Sequence, residues 1–434
     1  MGQVGGSGNR LQTLDLLRGV AVLGILLVNI IGMGRVLEAA DYYGHDGGPA
    51  AGWGPWDQAA WWVSQLLVEG SMRGLFTLLF GAGFMLMLSR PAAGASRARE
   101  HLRRCFFLVV FGALHTLVLL WPGDILLIYG LAGVLLLPLG RLGNRTLVAL
   151  AAVILLGLSA WSWSQARGDM ALRQAAETAQ ARLEAGAAPD GATEAVLADW
   201  DERLSWAGLD EETWAEERAA RDGGLLDNLR FARHLFVEWL APGPTAWWVL
   251  DALALMLLGV VLLRTGVLTG ALAARSYGIM ALLGYGLGLA TNFAETSTVL
   301  ATGFEPGRVA WPLATYQLGR LAITFGHVGL LLWLWRRGIA ARALRVLGSV
   351  GRMALTHYLG QSAIAALLFS GFGFGLYAEL TRAPLWGVAA AIWAFQAAVS
   401  VAWLRRYTMG PAEWLLRGLV RGQWPPLRRA ISTR

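Results

Sequence analysis

The sequence predicts an all-α, polytopic membrane protein, and three observations support this fold class. Of 434 residues, 56% are hydrophobic and only 15% are charged, whereas a soluble chain carries about a quarter charged residues. Apolar windows recur along the chain at about 20 residues each, the length that an α-helix needs to cross a bilayer. The arginines fall in short clusters between these windows, as in loops that stay on the cytoplasmic side.

Apolar windows at about ten positions are candidate transmembrane helices. The fourth is short, and only the turn "PGD" separates it from the third. We therefore expect about ten transmembrane helices. The windows lie at about 14–34, 72–89, 104–121, 124–140, 146–164, 246–264, 271–291, 312–335, 350–373 and 384–404.

Arginine placement predicts the orientation. If the N-terminus is cytoplasmic, arginine-rich connections such as "SRPAAGASRAREHLRR" and "RRGIAARALR" all fall on the cytoplasmic side. An even number of spans then places both termini in the cytoplasm, and we expect a multi-pass protein of the plasma membrane, embedded in the lipid bilayer. The first window is too long for a signal peptide and has Asp15 where such a peptide is basic, so we expect a retained span.

The same windows divide the chain into four parts. These are a membrane half at 1–165, a polar insertion at 166–240, a second membrane half at 241–404 and a basic tail at 405–434. The insertion holds 16 of the 29 acidic residues and contains helix-favouring runs. We expect a small helical extracytoplasmic insertion, which is either a solvated connection or a lid.

Charge and cysteine content exclude two classes of site. The net charge of +7 does not indicate nucleic acid, because the arginines form no single basic face. The single cysteine, Cys105, permits no internal disulfide and no thiolate metal site. We expect no metal, and the sequence leaves open whether the chain forms a homo-oligomer.

Ionisable and polar side chains inside the apolar windows are candidate functional residues, because a charge in hydrocarbon is costly unless it is paired or hydrated. Asp15 and Arg18 lie one helical turn apart. They form either an ion pair that fixes packing or an anchor for an anionic group such as a phosphate. Asn29 lies farther along the same window, while Arg73 and Arg104 lie at the starts of the second and third.

His115 and Asp124 bracket the segment "HTLVLLWPGD". A carboxylate beside a histidine orients the ring and stabilises its charged form, which is the usual arrangement for general-base chemistry. A packed, hydrogen-bonded histidine is the alternative interpretation, and the sequence alone does not show that the two side chains touch.

A polar helix face is predicted within "RMALTHYLGQS", residues 352–362. At helical spacing Tyr358, Gln361 and Ser362 share this face inside an otherwise apolar window. Such a face packs against polar groups of other helices or lines a substrate cavity.

Several of these segments occur in the same order in a known bacterial membrane family. They are "LDLLRGVAVLGILLVNI", "GLFTLLFGAGF", "RRCFFLVVFGALH", "WPGDILLIYG", "GRMALTHYLGQS" and "YTMGPAEWLLR". Across nearly its full length the chain resembles the domain of unknown function family 418, the YeiB-like proteins. Its opening block is also similar to that of the wider transmembrane acyltransferase group, to which Asp15 and Arg18 correspond. His115 and Asp124 match the YeiB-like block "H…GDIL", whereas His357 departs from the pattern.

The resemblance implies transfer of an acyl group from a thioester donor, acetyl-CoA or another acyl-CoA, to an envelope or small-molecule acceptor. His115, assisted by Asp124, is then the expected catalytic pair. The expected donor- or substrate-binding residues are Asp15, Arg18, Asn29, Arg73, Arg104, Tyr358 and Gln361. A transporter or channel for an anionic or proton-coupled solute is the main alternative, and a receptor or assembly subunit that binds through 166–240 is a third.

Overall fold

The computed structural model describes residues 7–35, 53–88, 94–206 and 211–429, and over these residues the chain is α-helical without a β-strand. A π-helical turn, Ser64–Val68, extends the second helix. The helices are α1 (Ser7–Gly34), α2 (Pro55–Val63), α3 (Ser71–Leu88), α4 (Gly94–Leu119), α5 (Leu126–Leu139), α6 (Asn144–Glu184), α7 (Gly191–Trp206), α8 (Glu211–Asp222), α9 (Leu225–Trp239), α10 (Pro242–Arg264), α11 (Ala274–Ala301), α12 (Trp311–Arg337), α13 (Ala341–Gly351), α14 (Ala354–Phe369), α15 (Arg382–Arg406) and α16 (Pro411–Arg421).

Local sequence explains several helix ends. Proline occupies the first turn of α2, α10, α12 and α16, where its missing N–H group would have no intrahelical acceptor. Gly338, at φ +66°, ends α12 in the left-handed conformation, which glycine adopts without steric cost.

Seven segments of the described chain are long and apolar enough to cross a membrane. The protein is therefore a membrane protein. The expected count of about ten transmembrane helices is not confirmed. α5 has 14 residues and α14 has 16, both short of the roughly 20 that a span needs. The window at 271–291 lies on α11, which is not one of the seven. The seven are Gln12–Gly34, Pro55–Leu88, Arg97–Leu119, Asn144–Glu184, Pro242–Arg264, Trp311–Arg337 and Arg382–Arg406.

Close helix packing builds the interior of the bundle. α3 and α10 touch through two glycines, because a Cβ at Gly81 would collide with the backbone of Met256 and a Cβ at Gly259 with that of Leu78. Small residues allow such backbone contact between helices in a membrane. The main apolar core lies against this pair and includes Phe84.

The insertion is helical and folds back on one end of the bundle. α6 continues without a break from the fifth apolar window to Glu184, and α8 and α9 return toward the membrane helices. The backbone N–H of Gly371 donates to Arg221 O at 2.8 Å. We call this end, which includes residues 29–35, 119–125 and 369–382, the insertion end.

Arginines gather at the opposite end of the bundle. Arg103 donates to Leu419 O at 2.7 Å, and Arg421 pairs with Glu100 at 3.3 Å. We call this end, which includes residues 15–18, 97–104, 336–352 and 405–421, the arginine-rich end.

Candidate functional site

Four side chains form a buried hydrogen-bonded chain at the insertion end. Ser362 Oγ lies 2.7 Å from His115 Nε2, and His115 Nδ1 lies 2.7 Å from Asp124 Oδ1. Tyr358 donates its hydroxyl proton to the same carboxylate oxygen at 3.4 Å. All four residues are buried, so bulk water does not compete for these hydrogen bonds.

The turn between α4 and α5 positions the carboxylate. Leu120 adopts the left-handed conformation at φ +61°, an uncommon backbone state that marks a constrained turn. Asp124 Oδ2 accepts the backbone N–H of Leu127 at 2.8 Å, in the first turn of α5. Ile125 N donates to the Tyr358 hydroxyl at 3.2 Å, so the turn is tied to α14 as well.

The order serine, histidine, carboxylate is that of a nucleophile with its general base. Because the carboxylate accepts a hydrogen bond from Nδ1, the ring carries its proton there. Nε2 is then left to accept the hydroxyl proton of Ser362. This chain of hydrogen bonds can raise the nucleophilicity of the serine, or of a substrate hydroxyl that takes its place.

A cavity of about 140 Å³ reaches Asp124 from the other side. Its wall is mainly apolar, and the residues that line it include the polar side chains of Asn29, Glu69, Arg73, Asp124 and Tyr129. Ligand sites commonly combine an apolar wall with a few polar groups. Trp239, at the end of α9, contributes to the wall, so the insertion closes part of this cavity.

Arg73 is held in place at the edge of the cavity. Its Nη1 lies 2.7 Å from Asp251 Oδ2, and its guanidinium lies over the ring of Trp248 at 4.4 Å. Arg320 binds both oxygens of the same aspartate. Asp251, on α10, therefore has two guanidinium partners. Arg73 is held by its ion pair with this aspartate, which is itself held by Arg320 on α12.

The structure brings some of the predicted site residues together and separates others. His115, Asp124 and Tyr358 form the hydrogen-bonded chain, while Asn29 and Arg73 line the adjoining cavity. Three others lie at the arginine-rich end: Asp15 and Arg18, paired at 2.9 Å, and Arg104, over the ring of Phe80 at 4.6 Å.

Gln361 packs between helices rather than facing the cavity. It donates to Val22 O at 3.3 Å and to Gln396 Oε1 at 3.1 Å. The polar face predicted on α14 thus divides, since Tyr358 and Ser362 turn to the histidine and Gln361 turns to α1 and α15.

Ser362, Asp251 and Arg320 were not among the predicted site residues. Ser362 had a sequence signal, because it lies four residues after Tyr358 on the same polar face. Asp251 and Arg320 were visible only as isolated charges in apolar windows, and their pairing depends on tertiary contact.

A second serine–histidine pair lies in the bundle. His357 Nε2 is 2.6 Å from Ser400 Oγ, and among the described residues no carboxylate is found in hydrogen-bond contact with this ring. Within the same part of the chain, no group of three or more His, Cys, Asp or Glu side chains is arranged to hold a metal ion.

Comparison with known proteins gives matches over nearly the whole chain. It is 31% identical to the uncharacterised protein YeiB of Escherichia coli (strain K12), over 94% of this chain and 95% of that protein. It is 26% identical to the uncharacterised protein YxaH of Bacillus subtilis (strain 168), over 98% and 97%. The model of a family described as proteins of unknown function, DUF418, matches residues 262–423. No solved structure matches significantly.

Proposed function

The chain belongs to the DUF418 family of proteins of unknown function, and from that premise we propose that it is a membrane-embedded acyltransferase. The observation that carries the proposal is the unbroken chain from Ser362 Oγ through His115 to Asp124, with 2.7 Å at each step. A serine so placed is a nucleophile for an acyl group.

The reaction has two displacement steps. Ser362 Oγ attacks the carbonyl carbon of a thioester while His115 Nε2 takes the hydroxyl proton. The carbon–sulfur bond breaks, and the thiolate leaves with that proton. An acceptor hydroxyl or amine then attacks the serine ester, gives its proton to Nε2, and Ser362 Oγ recovers a proton as its bond to the acyl carbon breaks.

We place the acyl part of the donor in the cavity that reaches Asp124, which shares Trp121 with a small cavity beside Ser362. The apolar wall of the larger cavity suits an acyl chain, and Arg73 offers a fixed guanidinium to an anionic part of the donor. The donor is acetyl-CoA or another acyl-CoA, and the acceptor is an envelope component or a small molecule. Asp15 and Arg18, at the far end of α1, offer a second contact to an anionic donor that enters from the arginine-rich end.

A fluorophosphonate probe tests the nucleophile directly, because it forms a covalent bond with an activated serine. We expect mass spectrometry of the purified protein to place the label on Ser362. Ser362→Ala and His115→Ala should remove the label. Ser400→Ala is the matched control, since that serine also contacts a histidine but the pair has no carboxylate partner among the described residues.

Transfer itself is measured as release of free thiol from acetyl-CoA in the presence of a membrane extract. Loss of release in both Ser362→Ala and His115→Ala supports a serine ester. Release that persists in Ser362→Ala but not in His115→Ala would show that His115 acts directly on the acceptor. Wild-type protein that takes no label and releases no thiol would contradict the proposal.

The buried charges favour one second candidate, a transporter for an anionic or proton-coupled solute. Arg73, Asp251 and Arg320 form an intramembrane charge cluster beside the cavity, and such clusters commonly mark solute paths. Gradient-driven uptake into proteoliposomes, unaffected by His115→Ala, would select this function over acyl transfer.

A further inference from the structure

A second, much smaller cavity lies beside Ser362. It has a volume of about 10 Å³ and is lined by Ser362, Trp121, Leu120, Arg221 and Tyr377, among others. Trp121 lines both this cavity and the larger one at Asp124. A volume of this size holds about one water-sized group, which is the size of a single oxygen atom with its hydrogens.

Arg221 brings a positive charge to this cavity from the insertion. It lies at the end of α8 and is only 5% exposed. Its Nη1 donates to Leu120 O at 3.3 Å. Its Nε and Nη2 groups are buried and have no hydrogen-bond acceptor among the residues that the structure describes. Leaving such donors unsatisfied is costly, so their retention in a cavity wall points to a ligand.

Glu217 forms an ion pair with the arginine but no hydrogen bond to its Nε or Nη2 group. Its Oε1 lies 3.7 Å from Arg221 Nε, beyond hydrogen-bond distance, and it accepts the hydroxyl proton of Tyr377 at 2.7 Å. The carboxylate is thus engaged by the tyrosine. The edge of the guanidinium formed by Nε and Nη2 is the one that commonly binds an oxygen acceptor.

We propose that Arg221 binds the carbonyl oxygen of the acyl group and stabilises the negative charge that forms on it when Ser362 attacks. The inference rests on the proposed acyl transfer. Three observations carry it: the cavity adjoins the serine, it has room for one oxygen-sized group, and its wall holds a buried guanidinium with two unused donors. A donor placed where negative charge develops accelerates acyl transfer.

The insertion is therefore part of the site. Its docking is fixed by the bond from Gly371 N to Arg221 O at 2.8 Å and by the buried bond from the Tyr377 hydroxyl to Glu217 at 2.7 Å. Of the two sequence-based interpretations, a solvated connection and a lid, this assignment favours a lid that delivers one binding group.

The rate of fluorophosphonate labelling at Ser362 tests the assignment, because the phosphoryl oxygen of the probe takes the place of the carbonyl oxygen. Arg221→Gln should slow labelling by about 10²- to 10³-fold, and Arg221→Lys should give an intermediate rate. Arg218→Gln is the matched control, since it removes a guanidinium from the same helix. Its pair with Glu379 is exposed on both sides and contributes little to docking, and the bond from Gly371 N to Arg221 O remains. This variant should label at the wild-type rate.

Glu217→Gln keeps the result interpretable if Arg221→Gln does not fold. It preserves the size of the side chain and removes the flanking negative charge, so labelling should become several-fold faster. A rate no higher than wild type overturns the assignment, as does wild-type labelling in a folded Arg221→Gln protein. In those cases the serine nucleophile stands. If wild-type Ser362 takes no label, the assignment of Arg221 falls; the proposed function falls with it only if the wild type also releases no thiol from acetyl-CoA.

Discussion

His115 and Ser362 are 247 residues apart in the sequence, yet His115 Nε2 lies 2.7 Å from Ser362 Oγ. The first residue is on α4 and the second on α14, so the contact depends on how these two helices are held. At the insertion end the turn at Ile125 binds Tyr358. At the arginine-rich end the start of α14 is bound by Glu413. The candidate site is therefore a product of the whole bundle.

Asp124→Asn should slow fluorophosphonate labelling of Ser362 by about 10⁴-fold. The asparagine keeps an oxygen for the N–H of Leu127, so the turn should fold. Its amide N–H would face His115 Nδ1, so the proton of the histidine ring would move to Nε2. A protonated Nε2 cannot accept the hydroxyl proton of Ser362. Labelling rates of the two purified proteins measure this effect.

Tyr358→Phe is the control for Asp124→Asn. It removes the 3.4 Å bond to the same carboxylate and the 3.2 Å bond from Ile125 N but keeps the bond between His115 and Asp124, so the rate should fall by less than about tenfold. If Asp124→Asn is no slower than Tyr358→Phe, the carboxylate does not orient the histidine.

Glu413→Gln should flatten the dependence of stability on pH. Glu413 Oε1 accepts the N–H of Leu355 at 2.6 Å and Oε2 accepts the Thr356 hydroxyl at 2.6 Å. Burial is the main cause that raises the pKa of Glu413 above 4.5. The stabilisation from this group is thus full below pH 4.5 and is lost as the pH rises through the raised folded-state pKa.

Glutamine resembles the protonated acid and cannot ionise. Relative to wild type, Glu413→Gln should therefore gain thermal stability as the pH rises from about 4.5, the usual carboxyl range, toward neutrality. Glu413→Ala should be about 1–2 kcal/mol less stable than Glu413→Gln at every pH, since it removes the helix cap and neither variant can ionise. Melting temperatures are measured from pH 4 to 8. If those of wild type and Glu413→Gln differ by the same amount at every pH, Glu413 does not titrate in this way.

Local sequence indicated some of these features. Helices lie at the predicted apolar windows, Asp15 pairs with Arg18 one turn away, and His115 contacts Asp124, nine positions later in the sequence. Short separation along the chain limits the possible geometries, so the residue types and their spacing were informative.

Features that depend on tertiary packing were not predictable. Ser362 reaches His115 only through the docking of α14 on α4. Arg221 reaches the cavity beside Ser362 only because α8 folds back over the bundle. The number of transmembrane helices was not predictable for a related reason. The apolar character of the α5 window does not reveal that the helix stops at 14 residues.

Asp251→Asn should destabilise the protein by about 3–5 kcal/mol, because it leaves the buried guanidinium of Arg320 without its charge partner. Arg73 loses the same partner, but it lies at the cavity edge and is 18% exposed. Thermal unfolding in detergent measures the loss. Glu379→Gln is the control: its pair with Arg218 at 2.8 Å is about half exposed on both sides and should be worth only about 0–1 kcal/mol. Equal losses in the two variants would contradict a buried charge cluster.

Site-directed cysteines can test the predicted orientation. The native Cys105 is buried, so a membrane-impermeant maleimide should report only new, exposed cysteines. Ala188, in the insertion, and Ala341, at the arginine-rich end, are both exposed. In right-side-out vesicles Ala188→Cys should react at once, whereas Ala341→Cys should react only after permeabilisation, because arginine-rich connections remain in the cytoplasm. Protein without an introduced cysteine gives the background level of maleimide labelling.

The same experiment constrains the donor. If Ala188→Cys faces outward, His115 and Ser362 lie toward the outer surface, and a cytoplasmic acyl-CoA must extend its thioester through the bundle past α1. Arg18→Gln should then weaken the use of acetyl-CoA while leaving fluorophosphonate labelling of Ser362 unchanged, since Arg18 lies at the opposite end. The reverse maleimide pattern would contradict the predicted topology, and the donor would reach Ser362 from the insertion end without contact with Arg18.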